Sequence, residues 1–235
     1  MNLKRLAPFL FVLAVFVSLL LFYTAYDKQS KSLSAEKLAN VLSFRDVSSS
    51  LRELNKVFAL EAIGVISVVF LLGPLSKLFP GIFARFLPMR KPAGLAGFAL
   101  ALVHGIYSLV VFYNLDISLM IFRNQKLIGF IPAVLALIIF GIMSFTSTKQ
   151  AVIKIGYRKW KAVQTFGYAG LLFALVHFFV IESKPIAGLD VKPFGLLFFY
   201  VAALALLLRL LIIFARVPGR GSYEEHLGEK KRSKI

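Results

Sequence analysis

The sequence predicts an all-α fold: an integral membrane bundle of six transmembrane helices with both termini on the cytoplasmic side. Three observations predict it. Hydrophobic residues make up 59% of the 235 residues, and the mean hydropathy of +0.81 lies far above that of soluble domains. The apolar residues form six runs, each close to the roughly 20 residues that a helix needs to cross a bilayer. Basic residues concentrate in alternate connections between these runs, as the positive-inside rule describes.

The first apolar run could be a secretory signal, because Lys4 and Arg5 precede it. It is longer than a signal-peptide core and no small-residue cleavage site follows, so we interpret it as a retained helix. The chain then divides into this first helix (1–26), an extracytoplasmic loop (27–56), a helical domain (57–216) and a cytoplasmic basic tail (217–235). The six predicted spans are 7–25, 57–78, 93–113, 127–145, 163–181 and 194–214.

The charge of the connections sets the predicted orientation. Those after the second and fourth spans contain lysine and arginine but no acidic residue, whereas basic and acidic residues are mixed in the alternate connections. We therefore place the purely basic connections and both termini in the cytoplasm. Membrane topology also explains the net charge of +17, so we expect membrane lipids and no nucleic acid as partners. The basic residues of these two connections are Lys77, Arg85, Arg90 and Lys91, then Lys149, Lys154, Arg158, Lys159 and Lys161.

A repeated motif occupies the third and fifth predicted spans. Residues 94–104 read GLAGFALALVH and residues 167–177 read GYAGLLFALVH, with seven of eleven positions identical. In a helix the glycines, including Gly97 and Gly170, share one face with the histidine that ends each motif. The predicted topology runs both helices in the same direction and places His104 and His177 about 16–21 Å from the cytoplasmic edge. Two such faces opposite each other would leave a slot for a flat ligand held by two imidazoles, and a haem fits that description.

Helix packing is the simpler explanation of small residues spaced in this way, and an isolated membrane histidine can serve packing as well. The matched positions favour shared ligation, because ionisable groups inside membranes tend to be functional. A neutral imidazole is a good axial ligand of haem iron, and a backbone carbonyl one turn away could orient its other N–H group. The absence of cysteine excludes thiolate-held iron–sulfur clusters and covalent c-type haem.

The residues 90–104 (RKPAGLAGFALALVH) and 146–177, with Trp160 near the start of the fifth span, resemble the ferric-reductase-like transmembrane domain family. Within that family the chain is most similar to the haem-binding membrane subunit of the bacterial methionine sulfoxide reductase system. The resemblance covers about 57–216 and implies a six-helix haem b domain with His104 and His177 as axial ligands of the iron.

One position departs from the family pattern. Gln164 stands 13 residues before His177, where the resemblance would place an inner histidine, and glutamine is a poor ligand for haem iron. One haem b is therefore expected and a second is doubtful. Three alternatives stay open: a quinol or a flavin such as FMN enters the bundle, an inner haem binds unconventionally near Gln164, or full transmembrane transfer has been lost.

The function that these features predict is a haem b electron-transfer subunit of an oxidoreductase system in the cell membrane. Its donor would be the quinone pool or a cytosolic flavin reductase, because no Gly-rich nucleotide fingerprint occurs in the sequence. Its acceptor would be an extracytoplasmic reductase. A non-redox scaffold and a small transporter are the alternatives; for the transporter, Glu61 and Arg209 would be the charged route. Arg209 is otherwise expected to extend to the lipid headgroups.

Overall fold

The computed structural model describes residues 3–27, 30–44, 46–111, 113–116, 118, 127–184, 188–189 and 193–215, and these are almost entirely helical. Two antiparallel hairpins of two-residue strands pair β1 (Tyr26–Asp27) with β2 (Ser32–Leu33) and β3 (Ser183–Lys184) with β4 (Gly188–Leu189). Residues Ala84–Met89 form a 3-10 helix. The α-helices are α1 (Leu3–Ala25), α2 (Ala35–Leu42), α3 (Val47–Leu78), α4 (Pro80–Phe83), α5 (Arg90–Val111), α6 (Leu127–Phe145), α7 (Lys149–Ile155), α8 (Tyr157–Glu182) and α9 (Pro193–Phe214).

Among the described residues, four helical segments are each long and apolar enough to cross a membrane: α3, α4 to α5, α8 and α9. A fifth is counted if α6 and α7, which are bent by 94° at their junction, form one span. In α1 the apolar helical stretch is Leu13–Phe22. The chain is therefore an all-α membrane protein, while a sixth span and the orientation in the membrane stay predictions.

The helices pack as two pairs, α3 against α5 and α6 against α8, with α9 and α1 packed on α3. Apolar side chains from four helices meet in the main core, which buries most of its members almost completely. This core sits between the two pairs and fixes their relative position, because interior side chains interdigitate at crystal-like density. It comprises Ile66 and Phe70 of α3, Ala136 and Phe140 of α6, Leu171 and Leu175 of α8, and Ala202 and Ala205 of α9.

The second predicted span is only part of a longer helix. α3 begins at Val47, inside the predicted loop 27–56, because the Asp46 carboxylate caps it by accepting hydrogen bonds from the N–H groups of Ser48 (3.1 Å) and Ser49 (3.4 Å). The rest of that loop folds into the β1–β2 hairpin and the amphipathic helix α2. The predicted tail 217–235 and most of the connection at 117–126 lie outside the described residues.

Candidate functional site

His104 of α5 is fixed by a hydrogen-bond network to α3. Its Nδ1 lies 3.2 Å from the backbone oxygen of Asn55 and 3.0 Å from the Asn55 side-chain oxygen. Both are acceptors, so Nδ1 carries the proton and Nε2 keeps its lone pair. The Asn55 amide in turn donates to Ser108 Oγ (2.8 Å), and that hydroxyl donates to the backbone oxygen of His104 (2.8 Å). The network fixes both the tautomer and the direction of the ring.

His177 of α8 is held in the same way by α6. Its Nδ1 donates to the backbone oxygen of Gly129 at 2.9 Å, which again leaves the Nε2 lone pair available. The sequence analysis expected each acceptor to lie one turn away on the same helix. The structure instead places each acceptor on the partner helix of the pair. The two bonds span similar separations of 49 and 48 residues, so the sequence repeat extends to the groups that orient the histidines.

The two rings face a common space, with their centroids 6.4 Å apart and their planes inclined by 59°. His104 lies seven residues before the end of α5 at Val111, and His177 lies five residues before the end of α8 at Glu182. The two imidazoles are therefore at similar height, near the end of the bundle opposite its basic connections. Both histidine side chains are partly buried within the bundle.

The chemistry of this donor set fits a haem. Among the described residues, no group of three or more His, Cys, Asp and Glu side chains comes together, so the protein supplies two nitrogens where a bare metal ion usually takes four ligands. A porphyrin would supply the remaining nitrogen ligands, and His104 and His177, whose Nδ1 atoms both donate, would hold its iron through Nε2.

The glycine faces of the two motifs contact the partner helices and not each other. A Cβ at Gly97 would lie 2.7 Å from Ile66 Cγ1 of α3, and one at Gly170 would lie 2.9 Å from Phe140 Cε1 of α6. Both distances are shorter than real Cβ contacts allow, so these glycines bring the backbones of each pair together. The slot between two facing glycine strips is not observed. Contact of Gly97 and Gly170 with a cofactor stays a prediction.

Gln164 bonds to the end of α6. Its amide nitrogen lies 3.3 Å from both the backbone oxygen of Met143 and the hydroxyl of Thr146. One turn earlier, the Trp160 indole N–H donates to the backbone oxygen of Thr146 at 3.1 Å. Gln164 and Trp160 thus donate to backbone oxygens at the end of α6, where a helix has no further N–H groups to serve its last carbonyls. A role of Gln164 toward a cofactor stays a prediction.

The transporter alternative named Glu61 and Arg209, and each side chain has its own surroundings. Glu61 of α3 is fully buried, and neither of its carboxyl oxygens has a hydrogen-bond partner among the described residues. The Arg209 guanidinium lies 5.2 Å from the ring centroid of Tyr168 of α8, and its extension to the lipid headgroups stays a prediction. In the part of the chain that the structure describes, no hydrogen bond or ion pair joins Glu61 to Arg209.

Sequence reasoning missed the groups that orient the histidines. Asn55 lies in the predicted loop, two residues before the second span, and its relation to His104 depends on α3 beginning at Val47. Gly129 contributes only a backbone oxygen, which carries no sequence signal. Each histidine is separated from its acceptor by a nearly equal number of residues, 49 and 48. This regularity identifies the acceptors only once it is known which helices pair.

The comparison with protein families gives one match. Residues 58–175, half of the chain, match the family described as ferric reductase like transmembrane component. The match contains His104 and ends two residues before His177. None of the curated proteins matches the chain. The chain therefore belongs to the ferric reductase like transmembrane component family, whose members typically bind haem and transfer electrons in membranes.

Proposed function

We propose that this protein is the haem b electron-transfer subunit of a membrane oxidoreductase system. It would take electrons on its basic, cytoplasmic side and pass them to a reductase on the outer side. The observation that carries the proposal is the pair His104 and His177, whose rings lie 6.4 Å apart with both Nδ1 atoms engaged as donors. The two imidazoles would hold one haem iron through their Nε2 atoms, and family membership supports the same cofactor.

The residues of the chain would position and insulate that cofactor. Asn55 and Gly129 hold the two imidazoles in the tautomer that ligates, which also raises ligand basicity. Both side chains are partly buried between the helix pairs, so they would provide a low-dielectric environment that tunes the reduction potential of the haem. When bound, haem b supplies a centre that accepts and gives up one electron at a time.

The donor side follows from Gln164. Gln164 has no imidazole to ligate an inner haem, and its amide is already bonded to Met143 and Thr146. We therefore propose one haem per chain. From His104 to the first residue of α5 is a rise of about 21 Å, which is long for direct transfer from a cytosolic flavin. A quinol that enters the bundle is therefore the preferred donor, with a cytosolic flavin reductase as the second.

The finer resemblance suggests the acceptor. The motifs at 90–104 and 146–177 are similar to those of the haem-binding subunit of the bacterial methionine sulfoxide reductase system. We propose an extracytoplasmic reductase of that kind as the partner. The histidine pair lies near the last residues of α5 and α8, and we propose that this end of the bundle faces outward and meets such a partner.

The test is a reduced-minus-oxidised spectrum of the purified protein together with its haem content. We expect a haem b signal with one haem per chain that is lost in both His104→Ala and His177→Ala. The matched control is His226→Ala, which removes the third histidine of the chain and should leave the spectrum unchanged. A colourless wild-type protein from haem-replete cells would support the scaffold alternative, and ion or solute flux that survives His104→Ala would support the transporter.

A further inference from the structure

Glu61 carries its carboxyl group in an apolar part of the bundle. The side chain is fully buried, and neither oxygen has a hydrogen-bond partner among the described residues. Val57 and Gly64, four residues before Glu61 and three after it, lie on the same face of α3. Val57 belongs to an apolar cluster with Leu19 of α1 that packs against Phe198 of α9. A Cβ at Gly64 would lie 2.8 Å from Phe198 Cε1, so this face of α3 packs against α1 and α9.

Glu61 also lies near the height of the two histidines that would hold the haem. Asn55, which accepts the Nδ1 proton of His104, precedes Glu61 by six residues, or about 9 Å along α3. On the other side of the pair, Phe178 follows His177 in α8 and packs against the same apolar cluster. The carboxyl group is therefore less than two helical turns from the height of the histidine pair.

Within the part of the chain that the structure describes, the neighbouring helices bring no arginine or lysine to the height of Glu61. Residues 6–22 of α1 contain no titratable side chain. Arg90 of α5 bonds to the backbone oxygen of Val69, eight residues or about 12 Å beyond Glu61 along α3. Arg209 of α9 lies eleven residues, or about 16 Å, beyond Phe198.

The other titratable groups around Glu61 are uncharged or engaged elsewhere. Lys56 of α3 is exposed, and Lys37 of α2 lies 4.0 Å from the Asp27 carboxylate. Tyr200 of α9 is 64% exposed. A carboxylate buried without a compensating charge is strongly disfavoured, so a positive charge on an iron held by the histidines would decide whether it is tolerated. The remaining groups near this height are His104 and Tyr107 of α5 and His177 of α8.

We propose that Glu61 binds one proton when the haem held by His104 and His177 is reduced, and releases it when the haem is oxidised. This inference rests on the proposed function. The oxidised iron centre carries one more positive charge than the reduced one, so oxidation favours the Glu61 carboxylate and reduction favours the neutral acid. A unit charge about 10 Å away, at an effective dielectric constant of about 20, changes a proton affinity by about ten-fold.

Electrons and protons balance in this step. For each reduction, one electron comes from the donor of the proposed function and one proton comes from the solvent to an oxygen of Glu61. For each oxidation, the electron goes to the acceptor and the proton returns to the solvent. No bond to the iron forms or breaks.

The first experiment is an equilibrium redox titration of the full, haem-loaded chain in detergent, followed by its haem b spectrum between about pH 5 and 9. The midpoint potential should fall as the pH rises, because the reduced state binds the additional proton. A ten-fold difference in proton affinity corresponds to a total fall of about 59 mV over that range. Glu61→Gln keeps the size of the side chain but cannot take up the proton, so it should lose this part of the fall.

Glu36→Gln is the matched control, because it makes the same change at an exposed position of α2. It should keep the wild-type dependence on pH. Haem propionates titrate in all three proteins, so the difference between Glu61→Gln and the other two is the decisive quantity.

A second measurement needs only wild type and so does not depend on the folding of a variant. The reduced-minus-oxidised infrared spectrum should show the C=O stretching band of a protonated carboxyl group on reduction. Labelling with carbon-13 glutamate should shift this band. A spectrum without such a band overturns the proposal, as does a pH dependence that is the same in Glu61→Gln and wild type. A wild-type protein that binds no haem overturns the proposed function as well, whereas bound haem without proton uptake overturns this inference alone.

Discussion

The imidazoles of His104 and His177 lie with their centroids 6.4 Å apart although α5 packs on α3 and α8 packs on α6. Each ring takes its direction from an acceptor on its own partner helix, Asn55 or Gly129. The ring separation is therefore set by how the two helix pairs pack against each other, and the ring orientation is set within each pair.

This arrangement predicts that the Asn55 side chain, which accepts the Nδ1 proton of His104, strengthens haem binding. Asn55→Leu removes the side-chain acceptor of the Nδ1 proton and leaves only the longer bond to the backbone oxygen. Loss of such a group typically weakens metal binding by about 10- to 100-fold, and we expect that range for haem affinity, measured by haem titration of the apoprotein. Ser108→Ala acts one bond further away and should have a smaller effect. Equal haem affinity in Asn55→Leu and wild type would contradict this role.

The two helices within each pair approach closely at Gly97 and Gly170, so a larger residue at either position should destabilise the protein. Gly97→Ala and Gly170→Ala insert a methyl group against Ile66 and Phe140, and overpacking of this kind costs about 1–3 kcal/mol. We expect a lower midpoint of thermal unfolding in detergent. Gly81→Ala is the matched control, because nothing lies within 4 Å of a Cβ at that position. The loss should also appear in protein prepared without haem; a loss seen only with haem would mean that the glycines contact the cofactor instead.

Pro74 within α3 predicts an energetic coupling between Pro74 and Tyr168, which lie far apart in the sequence. Tyr168→Phe leaves the Phe70 oxygen without the donor that Pro74 cannot supply, at a cost of about 1–3 kcal/mol. In a Pro74→Ala background the new backbone N–H can serve that oxygen, so Tyr168→Phe should cost less. A double-mutant cycle on the free energy of unfolding measures the difference. Strictly additive effects would show that the hydroxyl does not replace the missing helical bond.

Glu61 should be dispensable for stability. Its carboxyl group is fully buried without a partner among the described residues, and a buried charge without compensation costs several kcal/mol. We expect Glu61→Leu, which keeps the volume, to match or exceed wild type in its thermal midpoint and to retain the haem spectrum. Glu61→Ala should be less stable than Glu61→Leu because it opens a cavity. A marked loss of stability in Glu61→Leu would indicate a partner for the carboxyl group.

The sequence by itself determined that this is a helical membrane protein and indicated that His104 and His177 belong together. Apolar runs near the length of a bilayer become helices because every backbone group must be satisfied within the segment, so all six predicted runs are helical. The repeat likewise indicated His104 and His177 together, since equal spacing in two parallel helices puts equivalent residues at similar height.

Only the tertiary structure decided which helices the glycine faces of the two repeated motifs contact. Helical periodicity defines a face but not the helix that meets it, so the sequence could not show that Gly97 packs on α3 or that Gly170 packs on α6. For the same reason the sequence could not show that Asn55 and Gly129, 49 and 48 residues away, bond to the histidines. Nor could it show the hydrogen bond from the Tyr168 hydroxyl to the Phe70 backbone oxygen. These contacts arise from how the helix pairs pack, and packing depends on the shapes of many side chains at once.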